Sequence, residues 1–242
     1  GGTSAIKIGY ASGAFPTNTS VGAGAGTVIL SGSSVVNGYS GSTTILNGST
    51  LNIKLDSATS ATADPGFTST YLAGTGGGSV IIEPYTSGGT VSLGSTGSTL
   101  NLPLALFTGT SAAGRKFADG FTNITIGSSS AGNISVSGAA TFSDSVALVS
   151  GGNITMNSGA SITDTQASGN LVIAAIGNFI NNAGSSALAT TDSGSSDRWV
   201  VYSASPLSNT FGGLLSANKA YWGSTYVSAP PASLGTGNRY VF

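Results

Sequence analysis

No cysteine and no histidine occur among the 242 residues. Without thiols the fold has no disulfide staple and no thiolate metal site. Without imidazole it lacks the commonest metal ligand and general base, which removes a Ser-His-Asp arrangement and most zinc sites. Charge is nearly as scarce. Charged residues make up 6% of the chain, against about a quarter in ordinary soluble proteins. Seven basic and eight acidic residues leave a net charge of -1. No basic patch exists to neutralise phosphates, and no polybasic run would seek an anionic bilayer, so neither nucleic acid nor a membrane surface is an expected partner. No run of 18 apolar residues is long enough to cross a bilayer as a helix. Helix formers such as Glu, Lys, Gln and Met are few, and Gly, Ser or Thr interrupts almost every window.

What remains is a chain of Gly, Ser, Thr, Asn and short apolar runs. Hydrophobic residues make up 39% of it, enough for a substantial core. The polar surface is therefore built from short uncharged side chains that can lie in rows, and near-zero net charge gives copies little mutual repulsion. Strand-like runs are frequent: Thr27–Leu30, Thr44–Leu46, Leu51–Leu55, Ser79–Ile82, Val91–Leu93, Leu100–Leu102, Ile124–Ile126, Ile134–Val136, Val146–Leu148, Ile154–Met156 and Leu171–Ile173. Gly, Ser or Asn separates neighbours, which is turn chemistry. A β-sandwich would use the same short strands and turns.

One phrase distinguishes the two architectures. Gly-Asn-apolar recurs at Gly132-Asn133-Ile134, Gly152-Asn153-Ile154, Gly169-Asn170-Leu171 and Gly177-Asn178-Phe179. A period near 20 built on short strands is the mark of a stacked solenoid. The expected fold is all-β, a right-handed parallel β-helix with coils of roughly 20 to 30 residues. Asn133, Asn153, Asn170 and Asn178 are expected at matching turns, where each amide can bond to the next turn and satisfy main-chain groups. An ordinary preference of Asn for left-handed turn geometry is compatible with this.

The solenoid is expected over residues 1–196. Residues 56–78 read as a loop-like lateral excursion, and residues 103–121 as a bend or short helix plugging a coil. Composition shifts near Asp197. The last segment, 197–242, carries both tryptophans and a run of aromatics: Trp199, Tyr202, Phe211, Tyr221, Trp222, Tyr226, Tyr240 and Phe242. A solenoid end needs a cover, so the segment reads as a C-terminal cap; the sharper expectation is a contact surface for another chain or a glycan.

No catalytic residue, metal site or cofactor is expected. Asp144 and Asp164 lie 20 residues apart, like the Gly-Asn phrases, and could stack on successive coils as paired carboxylates of the kind glycosidases use; two solvated turn residues are the plainer reading. No EF-hand loop or glycine-aspartate nonapeptide occurs. Gly22-Ala23-Gly24-Ala25-Gly26 does not open a helix in a GxGxxG pattern and reads as a turn or tightly packed strand.

The stretches GNISVSGAATFSDSVALVSGGNITM (132–156), GNLVIAAIGNFINNAGSSAL (169–188), DRWVVYSASPLSNTFGGL (197–214) and GNRYVF (237–242) resemble filamentous-haemagglutinin-like bacterial exoproteins of the two-partner secretion type. The Arg-Trp-apolar-apolar-Tyr-Ser phrase followed by Asn-Thr-Phe-Gly-Gly is the most specific; residues 1–100 match only in composition. The resemblance implies a right-handed parallel β-helix, an exported product at the bacterial surface, and adhesion or fibre building. The family's secretion module with its Asn-Pro-Asn motifs does not occur in this sequence, so a processed segment of a larger precursor is expected. End-to-end self-association and a host or cell-surface glycan or protein are the expected partners. A monomeric carbohydrate-binding adhesin is the alternative.

Overall fold

The computed structural model describes residues 6–8, 18–21, 26–32, 35–37, 42–46, 48–56, 72–75, 77–108, 117, 119–191 and 197–242. Every strand pair among them is parallel. That excludes the sandwich, whose sheets are antiparallel, and is consistent with a parallel β-helix.

A nine-stranded long sheet organises the molecule. In spatial order its strands are Gly26–Gly32, Ser49–Leu55, Gly78–Glu83, Phe121–Ser128, Val146–Ser150, Asn170–Ala175, Arg198–Tyr202, Arg239–Val241 and Ala220–Tyr221. A second sheet holds Leu100–Leu102, Val91–Leu93, Ile134–Val136, Ile154–Met156 and Phe179–Asn181; a third holds Ala139–Phe142, Ser161–Asp164 and Leu188–Thr190. From Phe121 to Tyr202 the chain visits long, second and third sheets in strict rotation; the last two strands both return to the long sheet. Earlier strands pair likewise: Ile6–Ile8 with Val35–Asn37, and Asn18–Val21 with Ser42–Leu46 and Leu72–Thr75. Within the first hundred residues, Gly26–Gly32, Ser49–Leu55 and Gly78–Glu83 thus continue the long sheet, and Val91–Leu93 the second.

Period-two alternation explains the core. In the long sheet one inward column runs Leu51, Val80, Ile124, Val146, Leu171, Trp199, and another runs Ile53, Ile82, Ile126, Leu148, Ile173, Val201, Tyr240. All are buried. The second sheet adds Val91, Ile134, Ile154 and Phe179 in register, and the third adds Ala140, Ile162 and Leu188. Like residues stack on like because successive parallel strands repeat the same inward positions.

Two expectations on chain organisation change. Within 56–78, residues 57–71 lie outside the described residues, but Leu72–Thr75 is a paired strand rather than loop. The boundary at 196/197 is no break, because Arg198–Tyr202 pairs along its length with Asn170–Ala175. Of residues 103–121, 109–116 and 118 lie outside the described residues; Leu104–Leu106 is a 3-10 turn, and the buried rings of Phe107 and Phe117 stack at 5.1 Å, with Phe142 5.0 Å from Phe107. The glycine run at 22–26 lies outside the described residues, save Gly26 at a strand start.

Candidate functional site

Three of the four Gly-Asn phrases enter the second sheet, where Ile134, Ile154 and Phe179 are register partners. There Asn133 Oδ1 accepts the Asn153 main-chain N–H at 2.8 Å, and Asn153 Oδ1 accepts that of Asn178 at 2.8 Å. At the next rung Asn209 Oδ1 accepts from the Phe179 N–H at 2.9 Å. Asn133, Asn153 and Asn178 therefore form the expected ladder. Asn170 does not. It starts a strand of the long sheet, faces Arg198 in register, and its Oδ1 accepts from Arg198 Nε at 3.1 Å.

The long sheet's outer face changes character along the stack. Toward the beginning it carries a polar cluster beside Ile29 and Ile81: Asn52 Nδ2 donates to Glu83 Oε1 at 2.8 Å, and Lys54 pairs with Glu83 at 2.9 Å. Burial raises the Glu83 carboxyl, but hydrogen bonds with Ser128, Asn52 and Lys54 outweigh that and hold it below the usual range. Toward the end the outer face is apolar. Ala147, Val172, Ala174, Val200, Tyr202 and Val241 form a second buried cluster, and Leu234, Tyr226 and Ala229 of the C-terminal segment lie across it. Arg198 fastens that segment. Its guanidinium donates to the carbonyls of Pro231, Leu234 and Gly235. The Tyr202 hydroxyl donates to Ala229 O at 2.8 Å, and burial raises its pKa.

This covering segment redistributes the aromatics expected on the surface. Trp199, Tyr202 and Tyr240 are buried; the first and last belong to the core and Tyr202 lies beneath the segment. They are not surface residues, because both faces of the strand Arg198–Tyr202 are covered. Tyr226 is half-buried, with its ring 5.3 Å from Tyr202. Phe211 and Phe242 are partly buried beside Tyr240, with ring separations to it of 4.7 and 6.0 Å. Only Tyr221 and Trp222 are exposed, at 39% and 67%. Trp222 leans on Phe242 at 5.1 Å, and the Arg239 guanidinium lies 5.3 Å over the Tyr221 ring.

Two hollows, each of about 530 Å³, flank this segment. One lies between the outer face and the covering segment, among Val149, Ala174, Ile176, Tyr202, Tyr226 and Val227. The other lies beside the terminal strands of the long sheet, among Pro206, Phe211, Leu215, Trp222, Tyr240 and Phe242. Leu215, Ile176 and Val227 are exposed around them.

Asp144 and Asp164 do not stack. Asp164 pairs in register with Phe142, so the coil step there, from 142 to 164, is 22 residues rather than 20. Above Asp144 sits Gln166, whose Oε1 accepts from both the main-chain N–H and the hydroxyl of Ser145 at 2.7 Å. Asp144 Oδ1 accepts from Gly120 N–H at 2.9 Å. Burial raises its carboxyl to about 7, helped by the charge and hydrogen bond of Asp119. Asp164 is raised to about 6, chiefly by burial and further by the charge of Asp197. Asp197 was in the sequence without any pattern to mark it, because it meets Asp164 from the next coil. Among the described residues no group of three or more acids could hold a metal ion, and no helix is long and apolar enough to cross a membrane.

The chain matches no protein-family model, no curated protein and no solved structure.

Proposed function

We propose that this chain is a structural and adhesive β-solenoid of a bacterial cell surface, a right-handed parallel β-helix whose copies associate end to end into filaments. The residues beyond Tyr202 serve as its terminal cap and contact module. The observation that carries this reading is the apolar end of the stack, where exposed Trp222 and Leu215 border a hollow floored by Phe211, Tyr240 and Phe242. At the other end of the described sheet, Gly26–Gly32 has a partner on one side only. Two unlike ends make a heterologous contact, which builds open filaments rather than closed rings. A surface with 6% charged residues offers little repulsion to oppose it. The role is mechanical and adhesive rather than catalytic.

The test is negative-stain electron microscopy paired with sedimentation velocity over a wide concentration range. Filaments whose axial repeat matches one subunit, shortened by Trp222→Ala, are expected. A chain that stays monomeric at the highest concentration overturns self-association. The exposed Trp222 and Tyr221 rings also favour a second reading, a monomeric carbohydrate-binding adhesin, because aromatic faces stack on sugar rings. That reading requires a change in Trp222 fluorescence on adding glycan to the monomer.

A further inference from the structure

We infer that Asp164 and Asp197 together bind a hard divalent cation of the calcium class, between the end of the strand Ser161–Asp164 and the entry to Arg198–Tyr202. Both side chains are buried, at 1% and 4% exposure. Asp164 Oδ1 accepts the Gln166 N–H at 2.8 Å, whereas its Oδ2 has no hydrogen-bond partner among the described residues. Neither oxygen of Asp197 has one among them. Three carboxylate oxygens are thus withdrawn from water with no donor facing them among the described residues, and Asp197, which precedes the register partner of Asn170, comes beside Gly169, where Asp164 Oδ2 lies.

A buried carboxylate demands a proton, a donor or a cation. The described cationic groups are committed elsewhere. Lys54 pairs with Glu83, and Lys219 Nζ donates to Thr236 O. Arg198, although adjacent to Asp197 in sequence, turns its guanidinium to Asn170 and the covering segment, and Arg239 bonds to Thr236 and Gly237 carbonyls. One shared proton would bridge two of these oxygens and leave the third bare. A divalent ion satisfies all three and balances two negative charges. Oxygen-only ligands of this kind suit calcium, which accepts carboxylates, main-chain carbonyls and water in flexible number.

Gly169 keeps the space open. A Cβ there would lie 2.7 Å from Asp164 Oδ2 and 3.0 Å from the Gln166 carbonyl oxygen. The Gln166 carbonyl is therefore a further oxygen beside the same gap. Its position joins the third sheet to the last complete coil, so an ion there would tie two successive coils together.

The test uses the full chain, stripped with a chelator, at pH about 7.5, above the raised Asp164 carboxyl at about 6. Calcium is titrated by calorimetry, and thermal unfolding is followed with calcium or with the chelator. One calcium per chain and a higher Tm are expected. Asp197→Asn and Asp164→Asn should each weaken binding by more than about tenfold while keeping the far-ultraviolet circular dichroism of the parent. Asp144→Asn, a buried carboxyl elsewhere in the stack, should bind as the parent does. Two results overturn the site: no heat and no change in Tm with millimolar calcium, or a calcium effect that survives Asp197→Asn.

Discussion

The side-chain oxygen of Asn133 lies 2.8 Å from the main-chain nitrogen of Asn153, one coil further on. The same oxygen lies 2.3 Å from where a Cβ on Gly152 would sit. Gly and Asn therefore recur as a pair for one reason. The Asn of one coil occupies the volume that the Gly of the next coil leaves empty. Gly177 repeats the relationship with Asn153 Oδ1, again at 2.3 Å. Gly152→Ala should push the ladder apart and cost about 1–3 kcal/mol. Asn153→Ala removes one acceptor and should cost about 1 kcal/mol. Urea denaturation midpoints at constant m-value measure both. A neutral Gly152→Ala would remove steric exclusion as the cause of the phrase.

Arg198 is the clamp on the covering segment. Lysine keeps the charge but lacks the planar fork that reaches three carbonyls and Asn170. Arg198→Lys should cost about 2 kcal/mol. Hydrogen exchange should show lost protection across residues 226–235, with the ladder at 133–178 unchanged. Uniform loss throughout the chain would mean the segment is not a separable element.

The two tryptophans should respond oppositely. Trp199 is 3% exposed in the core, and Trp199→Ala should cost about 3–5 kcal/mol. Trp222 is 67% exposed, and Trp222→Ala should change stability by no more than about 0.5 kcal/mol. Acrylamide should quench the emission retained in Trp199→Phe and barely touch that retained in Trp222→Phe. Equal quenching of the two variants would contradict the burial of Trp199.

Asp144 sets a pH dependence with a definite sign. Its carboxyl is raised by burial from 3.8 to about 7, and Asp119 is the ionisable group that faces it. The folded chain holds this proton where the unfolded chain has released it. The contribution to stability is complete below about pH 4 and is lost as pH rises through about 7. Measured with a chelator present, Tm should therefore fall between about pH 5 and pH 8. Asp144→Asn should flatten that slope. A Tm that rises over the same range, or a slope unchanged by Asp144→Asn, would show that Asp144 is ionised in the fold.

Each of the eleven apolar runs read from the sequence lies within a strand. They were legible because apolar residues recur at period two in most of them. The third-sheet strands were not. Ala139–Phe142, Ser161–Asp164 and Leu188–Thr190 carry small or polar residues at most positions, and their pairing comes from neighbours already set by the other two sheets. Asn170 was grouped with the ladder because Gly169-Asn170 has the same local spelling. Its place in the stack follows instead from a coil that lengthens, since Leu171 pairs with Val146 and Trp199. The covering segment did leave a signal. Leu171–Ala175 and Trp199–Tyr202 are continuous apolar runs, the pattern of strands buried on both faces, whereas Phe121–Ser128 alternates.

The sequence by itself determined the all-β class, the inward columns and the Asn133–Asn153–Asn178 ladder, because period, turn chemistry and the Gly-Asn pairing are local properties that repeat. Only the tertiary structure decided which aromatics are core and which are surface, and that Asp164 meets Asp197 rather than Asp144. Those contacts depend on the length of each coil, and the length of a coil is fixed by the whole path around three sheets rather than by any residue's neighbours.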